Sequence, residues 1–305
     1  MKLTIVTINY NSSENTISLL ESLRNQRDKD FDVIVVDNAS DKDEFDRLNI
    51  YYAIDFTPTK NILRKNILIK NKDNLGFSGG NNVGIKKALE NGSDWVFLLN
   101  NDTMPERHLI ERLRPILELS VDSEEEPKEG IIGLALDEGN QTAFAGRIEW
   151  LKPTLEHIHK QTNINSSPAY AIGGAMLIHK SVFDKIGFLD ENYFLYFEDA
   201  DFRQKAKRAG VPRYFLPKII IPHSVSASAK KLGSPLILRY HYRNALYFNL
   251  KNGPFPVRIL ARPWSWLIMI KQIIKIIVGK NREESVAILR GVIDWYTGKM
   301  GKIHD

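Results

Sequence analysis

The chain has 305 residues, 43% hydrophobic and 26% charged, with a formal net charge of +5 and no cysteine. This is a globular composition, with enough apolar material for one large domain or one domain plus an appendage. It excludes a disulfide framework and a cysteine-based zinc site, fits a reducing compartment, and favours anionic partners such as a nucleotide or a membrane surface.

Met1 runs through Lys2 and Leu3 into Thr7-Ile8-Asn9-Tyr10 without a long apolar region or a small-residue cleavage site, so no secretory signal is expected. The longest candidate for a membrane span, Trp264 to Val278, is interrupted by Lys271, Gln272 and Lys275. A spanning helix needs about 18 or more uninterrupted apolar residues, and a cytoplasmic protein is therefore expected.

Leu3 to Ile8 predicts a central strand ending in the polar turn Asn9-Tyr10-Asn11-Ser12. Ser13 or Asn15 is a candidate cap for a helix carrying Ile17, Leu19, Leu20 and Leu23. Phe31 to Val36 predicts a second strand, ending at Asp37-Asn38-Ala39-Ser40. Strand, helix and strand in this spacing make a βαβ unit and hence a parallel sheet. A third strand centres on Ile67-Leu68-Ile69. Asn74-Leu75-Gly76-Phe77-Ser78-Gly79-Gly80-Asn81-Asn82-Val83-Gly84 then reads as a glycine-rich turn leading into a helix over Val83 to Leu89. Such an entry lets backbone N–H groups approach a phosphate, although the spacing is not the dinucleotide fingerprint.

Trp95 to Leu99 is apolar throughout, as in a strand buried on both faces, and it opens onto Asn100-Asn101-Asp102. Open α/β sheets place ligands at such strand ends. One carboxylate there suits a metal, and a metal suits a phosphate; the alternative is a simple Asn-Asp turn. Ser120 to Gly130 is acidic and reads as a solvated loop. Ile131 to Leu136 is a further strand. Residues 137–168 are polar, with a short hairpin near Phe144 to Trp150, and His157 and His159 read as surface histidines.

Tyr170 to His179 is apolar with Gly173-Gly174 in its middle, which marks a close approach of ligand or backbone. After a short helix over Ser181 to Ile186, the aromatic run Tyr193 to Phe197 leads into Glu198-Asp199-Ala200-Asp201 and a basic helix over Phe202 to Ala209. The helix dipole accounts for one or two acidic residues at a helix start. Three carboxylates in four positions point to a site in which one serves as a base. Tyr214 to Ile221 is the last strand, and His223 just past it is a candidate second metal ligand. From Pro235 the pattern is helical, over Leu236 to Leu250, Val257 to Val278 and Arg282 to Trp295. The middle segment mixes Trp and Ile with Arg258, Arg262, Lys271 and Lys275, the composition of a helix in a membrane interface; packing on the catalytic domain or on a second subunit is the alternative.

The ordered set of motifs is Ile5-Val6-Thr7-Ile8-Asn9-Tyr10-Asn11, Val35-Val36-Asp37-Asn38-Ala39-Ser40, Asn74 to Asn82, Asn100-Asn101-Asp102, Gly173-Gly174-Ala175-Met176-Leu177 and Phe197-Glu198-Asp199-Ala200-Asp201. It resembles the inverting family 2 glycosyltransferases of the GT-A fold, in particular their rhamnosyltransferase-like and galactofuranosyltransferase-like members. The resemblance implies an α/β catalytic domain over residues 1–226, with a mostly parallel sheet flanked by helices. Residues 227–305 then form a helical appendage for membrane contact or for dimerisation.

The same resemblance implies roles for residues. Asn100-Asn101-Asp102 stands in the place of the family's Asp-x-Asp motif. Asp102 would hold Mg2+ or Mn2+, His223 would complete the metal site, and Asn100 brings no charge where a first Asp is usual. Thr7, Asn9 and Asp37 would line the nucleobase pocket, with Asp37 accepting the imide N–H of uracil or thymine. Asn74, Gly76, Gly80, Asn81, Asn100 and Asn101 would lie against the donor. Asp199 matches the catalytic base; Glu198 and Asp201 are the alternatives, Glu198 otherwise orienting the acceptor and Asp201 capping the helix.

The implied reaction moves a sugar, rhamnose by subgroup, from a dTDP- or UDP-sugar to a hydroxyl of a glycan or lipid-linked glycan. It would run at the inner face of the cytoplasmic membrane in cell-surface polysaccharide synthesis. A nucleotidyltransferase is the competing reading; it would need a glycine- and base-rich signature where this chain has Asn9-Tyr10-Asn11-Ser12-Ser13. No nucleic-acid motif is found, and nucleic acid is not an expected partner.

Overall fold

The computed structural model describes residues 1–55, 65–118, 129–164, 169–224 and 234–304. In chain order the elements are β1 (Leu3–Asn9), α1 (Ser13–Arg24), β2 (Phe31–Asp37), α2 (Lys42–Asp55), β3 (Asn66–Lys70), α3 (Gly76–Glu90), β4 (Trp95–Leu99) and α4 (Leu109–Leu117). Then follow β5 (Ile131–Asp137), β6 (Thr142–Ala143), β7 (Ala145–Arg147), β8 (Glu156–Ile158), β9 (Ala169–Tyr170), β10 (Ala175–His179), α5 (Lys180–Ile186), α6 (Glu198–Arg208) and β11 (Arg213–Pro222). Three helices close the chain: α7 (Ser234–Asn252), α8 (Phe255–Ile277) and α9 (Arg282–Tyr296).

The main sheet has the order β11-β5-β10-β4-β1-β2-β3, with β6 on β5. Strand β10 runs antiparallel to both its neighbours, while β1/β2, β1/β4, β2/β3 and β5/β11 pair in parallel. The carboxyl ends of β1, β2, β4, β5 and β11 therefore share one edge with the amino end of β10. Side chains alternate across the sheet. Leu3, Ile5, Phe97 and Leu99 pack with Leu20 and Leu23 of α1 and Leu113 of α4. Val6, Val36 and Leu98 pack on the other face with Ile85 of α3 and Phe202 of α6. Helices cover both faces, which is why the strands read as continuous apolar runs.

Two stretches differ from their sequence expectation. The glycine-rich stretch is helix from Gly76 onward, not a turn before a helix. A Cβ on Gly84 would overlap the side chain of Val6, and one on Gly80 would stand 3.0 Å from Asn38 Nδ2. Close packing of α3 on the sheet outweighs the ~1 kcal/mol per residue that glycine costs a helix. The apolar run Tyr170 to His179 is split: β9 joins β7 and β8 in a small antiparallel sheet, and β10 enters the main one. At the start of α1 the N-cap is Ser12, without a side-chain cap bond. Ser13 instead donates its N–H and Oγ to Glu44 of α2, at 2.9 and 2.7 Å. The acidic stretch Ser120 to Gly130 falls mostly outside the described residues.

Candidate active site

Each strand end at the shared edge carries a polar residue, and several of these bond to one another. Asp37 is fully buried; its Oδ1 accepts from Asn9 Nδ2 at 2.8 Å and its Oδ2 from the Ser40 N–H at 3.1 Å. Asn9 Oδ1 accepts from the Thr16 hydroxyl at 2.8 Å, and that hydroxyl oxygen accepts from Asn101 Nδ2 at 2.9 Å. The chain of bonds braces β2, β1, α1 and the segment after β4 into one wall. Asn38 extends it. Its Nδ2 donates to Asn74 Oδ1 and to the Gly76 carbonyl, at 3.1 and 2.9 Å, and its Oδ1 accepts from Asn71 Nδ2 at 2.9 Å. Gly76 has φ +72°, and a Cβ there would overlap the Phe194 carbonyl, which accepts the Phe77 N–H at 2.7 Å.

Above this wall lies a cleft of about 390 Å³, within the size range of small-molecule sites. One side is Ile8, Tyr10, Asn38, Asn74, Gly76 and Asn81; the floor is Asn100, Asn101 and Asp102. The other side is Gly173, Gly174, Tyr170, Tyr196, Glu198, Asp199, His157 and His241. The structure thus brings eight of the expected residues to one cavity: Asn74, Gly76, Asn81, Asn100, Asn101, Asp102, Glu198 and Asp199. Thr7, Asn9 and Asp37 are buried in the wall behind it. Gly80 lies against Asn38, and His223 reaches Asp102 from the end of β11.

His223 Nε2 stands 3.1 Å from Asp102 Oδ1, with side chains 11% and 4% exposed. Neither that oxygen nor either imidazole nitrogen has a hydrogen-bond partner among the described residues. The backbone fixes the pair: Thr103 and His223 form a β-bridge, and the Ser224 N–H donates to the Asp102 carbonyl at 2.9 Å. Two orphaned buried ligands at this separation fit a divalent cation, since cis ligands on a metal with bonds of about 2.1 Å lie about 3 Å apart. No group of three or more acidic or His side chains suited to a metal occurs among the described residues. Remaining ligands would have to come from a bound phosphate and from water.

On the opposite side, Phe194, Tyr196 and Phe197 have φ of 60°, 69° and 76°, a left-handed conformation costing side-chain-bearing residues about 1–3 kcal/mol each. Buried Asn244 of α7 holds them there. Its Nδ2 donates to the carbonyls of Tyr193, Leu195 and Tyr196, at 2.9, 2.8 and 3.2 Å. This loop delivers Glu198 and Asp199. Asp199 Oδ2 accepts the Gly173 N–H at 3.2 Å and Oδ1 accepts the Ala200 N–H at 2.7 Å. Burial raises the Asp199 pKa, with those two N–H groups partly opposing it. Burial, and then the charge of Asp199, push Glu198 well above the carboxylate range. Asp201 is spent elsewhere: it binds Tyr193 OH, Asn252 Nδ2 and Lys251 Nζ, at 3.1, 2.6 and 2.8 Å, tying α6 to α7.

Several wall residues were not legible as such. His157, read as surface, lies in the cleft 3.0 Å from a Glu138 carboxylate oxygen. His241 stacks on Tyr196 with ring centroids 4.2 Å apart, and burial pushes its imidazole down to about 4, so it is neutral near pH 7. Both arrive by long-range folding, and no spacing in the sequence announces them. Asn38 did carry a signal: an amide directly after a buried strand.

The fold and cleft define an α/β architecture with a ligand-sized site at its strand ends, and comparison with known proteins places the chain. Its residues 4–187 match the family described as Glycosyl transferase family 2. The chain belongs to that family, and its sheet has the GT-A arrangement expected from the sequence. The matched segment ends before Glu198, Asp199 and His223. The chain is 29% identical over 216 residues to a low-salt glycan biosynthesis hexosyltransferase of Haloferax volcanii, Agl10, covering 68% of this chain and 62% of that protein. It is 22% identical over 187 residues to the dTDP-rhamnosyl transferase RfbF of Shigella flexneri, covering 59% and 61%. It spans about three fifths of the length of these relatives. Among solved structures, the mannosyltransferase PcManGT of Pyrobaculum calidifontis in complex with GDP-Man and Mn2+ superposes with a TM-score of 0.56 at 14% identity, over 97% of this chain and 87% of that one. S. aureus TarS 1-349 in complex with UDP-GlcNAc gives 0.54 at 15%, over 98% and 92%.

Proposed function

We propose that this protein is an inverting, divalent-metal-dependent glycosyltransferase. It moves a hexose, of the rhamnose type, from a dTDP- or UDP-sugar to a hydroxyl of a glycan or lipid-linked glycan, at the inner face of the cytoplasmic membrane in cell-surface polysaccharide synthesis. Residues 1–226 are its catalytic part and 227–305 its helical appendage. The observation that carries the reading is one cleft with Asp102 on its floor and Asp199 on its wall.

Asp199 is the base. An acceptor hydroxyl is a poor nucleophile at neutral pH, and a carboxylate must take its proton as the new C–O bond forms. Burial makes Asp199 a stronger base than a solvated aspartate, and the Gly173 N–H aims one of its oxygens. Attack opposite the leaving group inverts the anomeric carbon with no sugar–enzyme bond. Asp102 and His223 would hold a divalent cation, which would supply positive charge against the diphosphate leaving group. Asn100, in the cleft lining, would hydrogen-bond the donor without adding charge. Asn74, Gly76, Gly80, Asn81 and Asn101 shape the donor side. Thr7 and Asn9 support the nucleobase pocket from behind, with Asp37 the acceptor for the imide N–H.

The test is incubation with dTDP- and UDP-sugars and Mn2+ or Mg2+. Release of the nucleoside diphosphate supports the reading; failure to bind or turn over any nucleotide sugar overturns it. Release of pyrophosphate would mark a nucleotidyltransferase instead.

A further inference from the structure

Helix α8 is amphipathic in the reverse sense to a helix packed on a water-soluble domain. The residues it buries against its neighbours are small or polar: Ala261, Ser265 and Gln272. Ser265 Oγ lies 2.7 Å from the Tyr296 hydroxyl of α9. The residues it presents to solvent are large and apolar, with Trp266 56% and Ile277 78% exposed, and Ile259, Leu267, Ile270 and Ile273 also open. At 100° per residue these six fall in an arc of about 120°, roughly opposite the buried three. Arg258 and Arg262 flank one side of the arc, and Lys271 and Lys275 flank the other. From Phe255 to Arg282 the chain carries six Lys or Arg and no Asp or Glu.

We propose that this face of α8 docks on an anionic lipid bilayer, with the helix lying along the surface. No described helix is long and apolar enough to cross a membrane. The charge pattern selects the occupant. A second copy pairing the same face by two-fold symmetry would set cationic flanks against cationic flanks, with no carboxylate in the segment to relieve them. Anionic headgroups supply opposite charge along both flanks, and the long Arg and Lys stems reach them while the apolar arc enters the acyl boundary. The inference rests on the membrane-facing part of the proposed function and not on its chemistry.

The test is co-sedimentation of the full chain with phosphatidylcholine vesicles, with and without phosphatidylglycerol, and a mass measurement by light scattering. The expected result is a monomer whose bound fraction rises about tenfold or more with the anionic lipid. Trp266→Glu with Ile270→Glu should lose binding to both vesicles, and these exposed positions leave the core untouched. Arg258→Gln, Arg262→Gln and Lys271→Gln together should remove the preference for anionic lipid. Absence of binding to anionic vesicles overturns the proposal, as does a stable dimer that the double Glu variant dissociates. Nucleotide-sugar turnover in vesicle-free buffer reads the proposed function separately.

Discussion

His223 Nε2 and Asp102 Oδ1 face each other across 3.1 Å, nearly buried, yet neither atom has a hydrogen-bond partner among the described residues. The two are in contact yet make no hydrogen bond, and under the proposed function a cation would complete the pair. Asp102→Ala should therefore change the melting temperature without metal only slightly, because the pair makes no hydrogen bond for the substitution to break. The same variant should lose the upward shift expected of the parent with Mn2+ and a nucleoside diphosphate. A purely structural ion pair would show the reverse: a loss of about 3–5 kcal/mol without metal and an unaltered ligand shift. Thermal melts of both forms decide it.

Glu198 supplies a pH signature. Burial and the neighbouring Asp199 raise its folded-state pKa well above the ordinary 4.5. The folded protein therefore holds that proton at pH values where the unfolded chain has released it. Its contribution to stability is full below about pH 4.5 and is lost as pH rises through the raised value. Glu198→Gln should melt higher than the parent at neutral pH, and the gap should close towards pH 4.5. Melting curves over that range give the sign.

Much of the fold was legible because two-faced burial leaves a simple trace. Trp95 to Leu99 is apolar at every position, and it is β4 in the middle of the sheet. The polar strand ends were legible for the same reason, since Asn9, Asp37 and Asn100 each interrupt such a run. What escaped depends on contacts distant in sequence. The helix from Gly76 was hidden because its glycines answer to Val6, Asn38 and Phe194 rather than to local propensity. Of three neighbouring carboxylates, Asp201 could be set aside only once Lys251 and Asn252 of α7 were seen to hold it.

Asn244 keeps the strained loop before Glu198 in place through three donated bonds. Asn244→Ala should cost about 1–3 kcal/mol and lower kcat more than it raises donor KM, because the carbonyls it holds lead directly into Glu198 and Asp199. Asn244→Asp should be worse than Ala in both respects, since it turns a carboxylate towards the carbonyls. Steady-state kinetics together with urea unfolding tests this; equal behaviour of the two variants would contradict the clamp.

Gly76→Ala should be severe for a different reason. It forces a side chain into φ +72° and into the Phe194 carbonyl, where α3 meets the aromatic loop. We expect a stability loss of about 2 kcal/mol or more, with nucleotide affinity falling alongside it. Isothermal titration with UDP and dTDP checks the second part.

In the proposed reaction Asp199 removes the acceptor proton during a metal-assisted transfer from a nucleotide sugar. The direct measurement is single-turnover transfer by Asp199→Asn, beside equilibrium binding of the donor with Mn2+. The expected result is a rate loss of about 10²–10⁴ with donor affinity within about twofold of the parent. Full transfer activity in Asp199→Asn would contradict it.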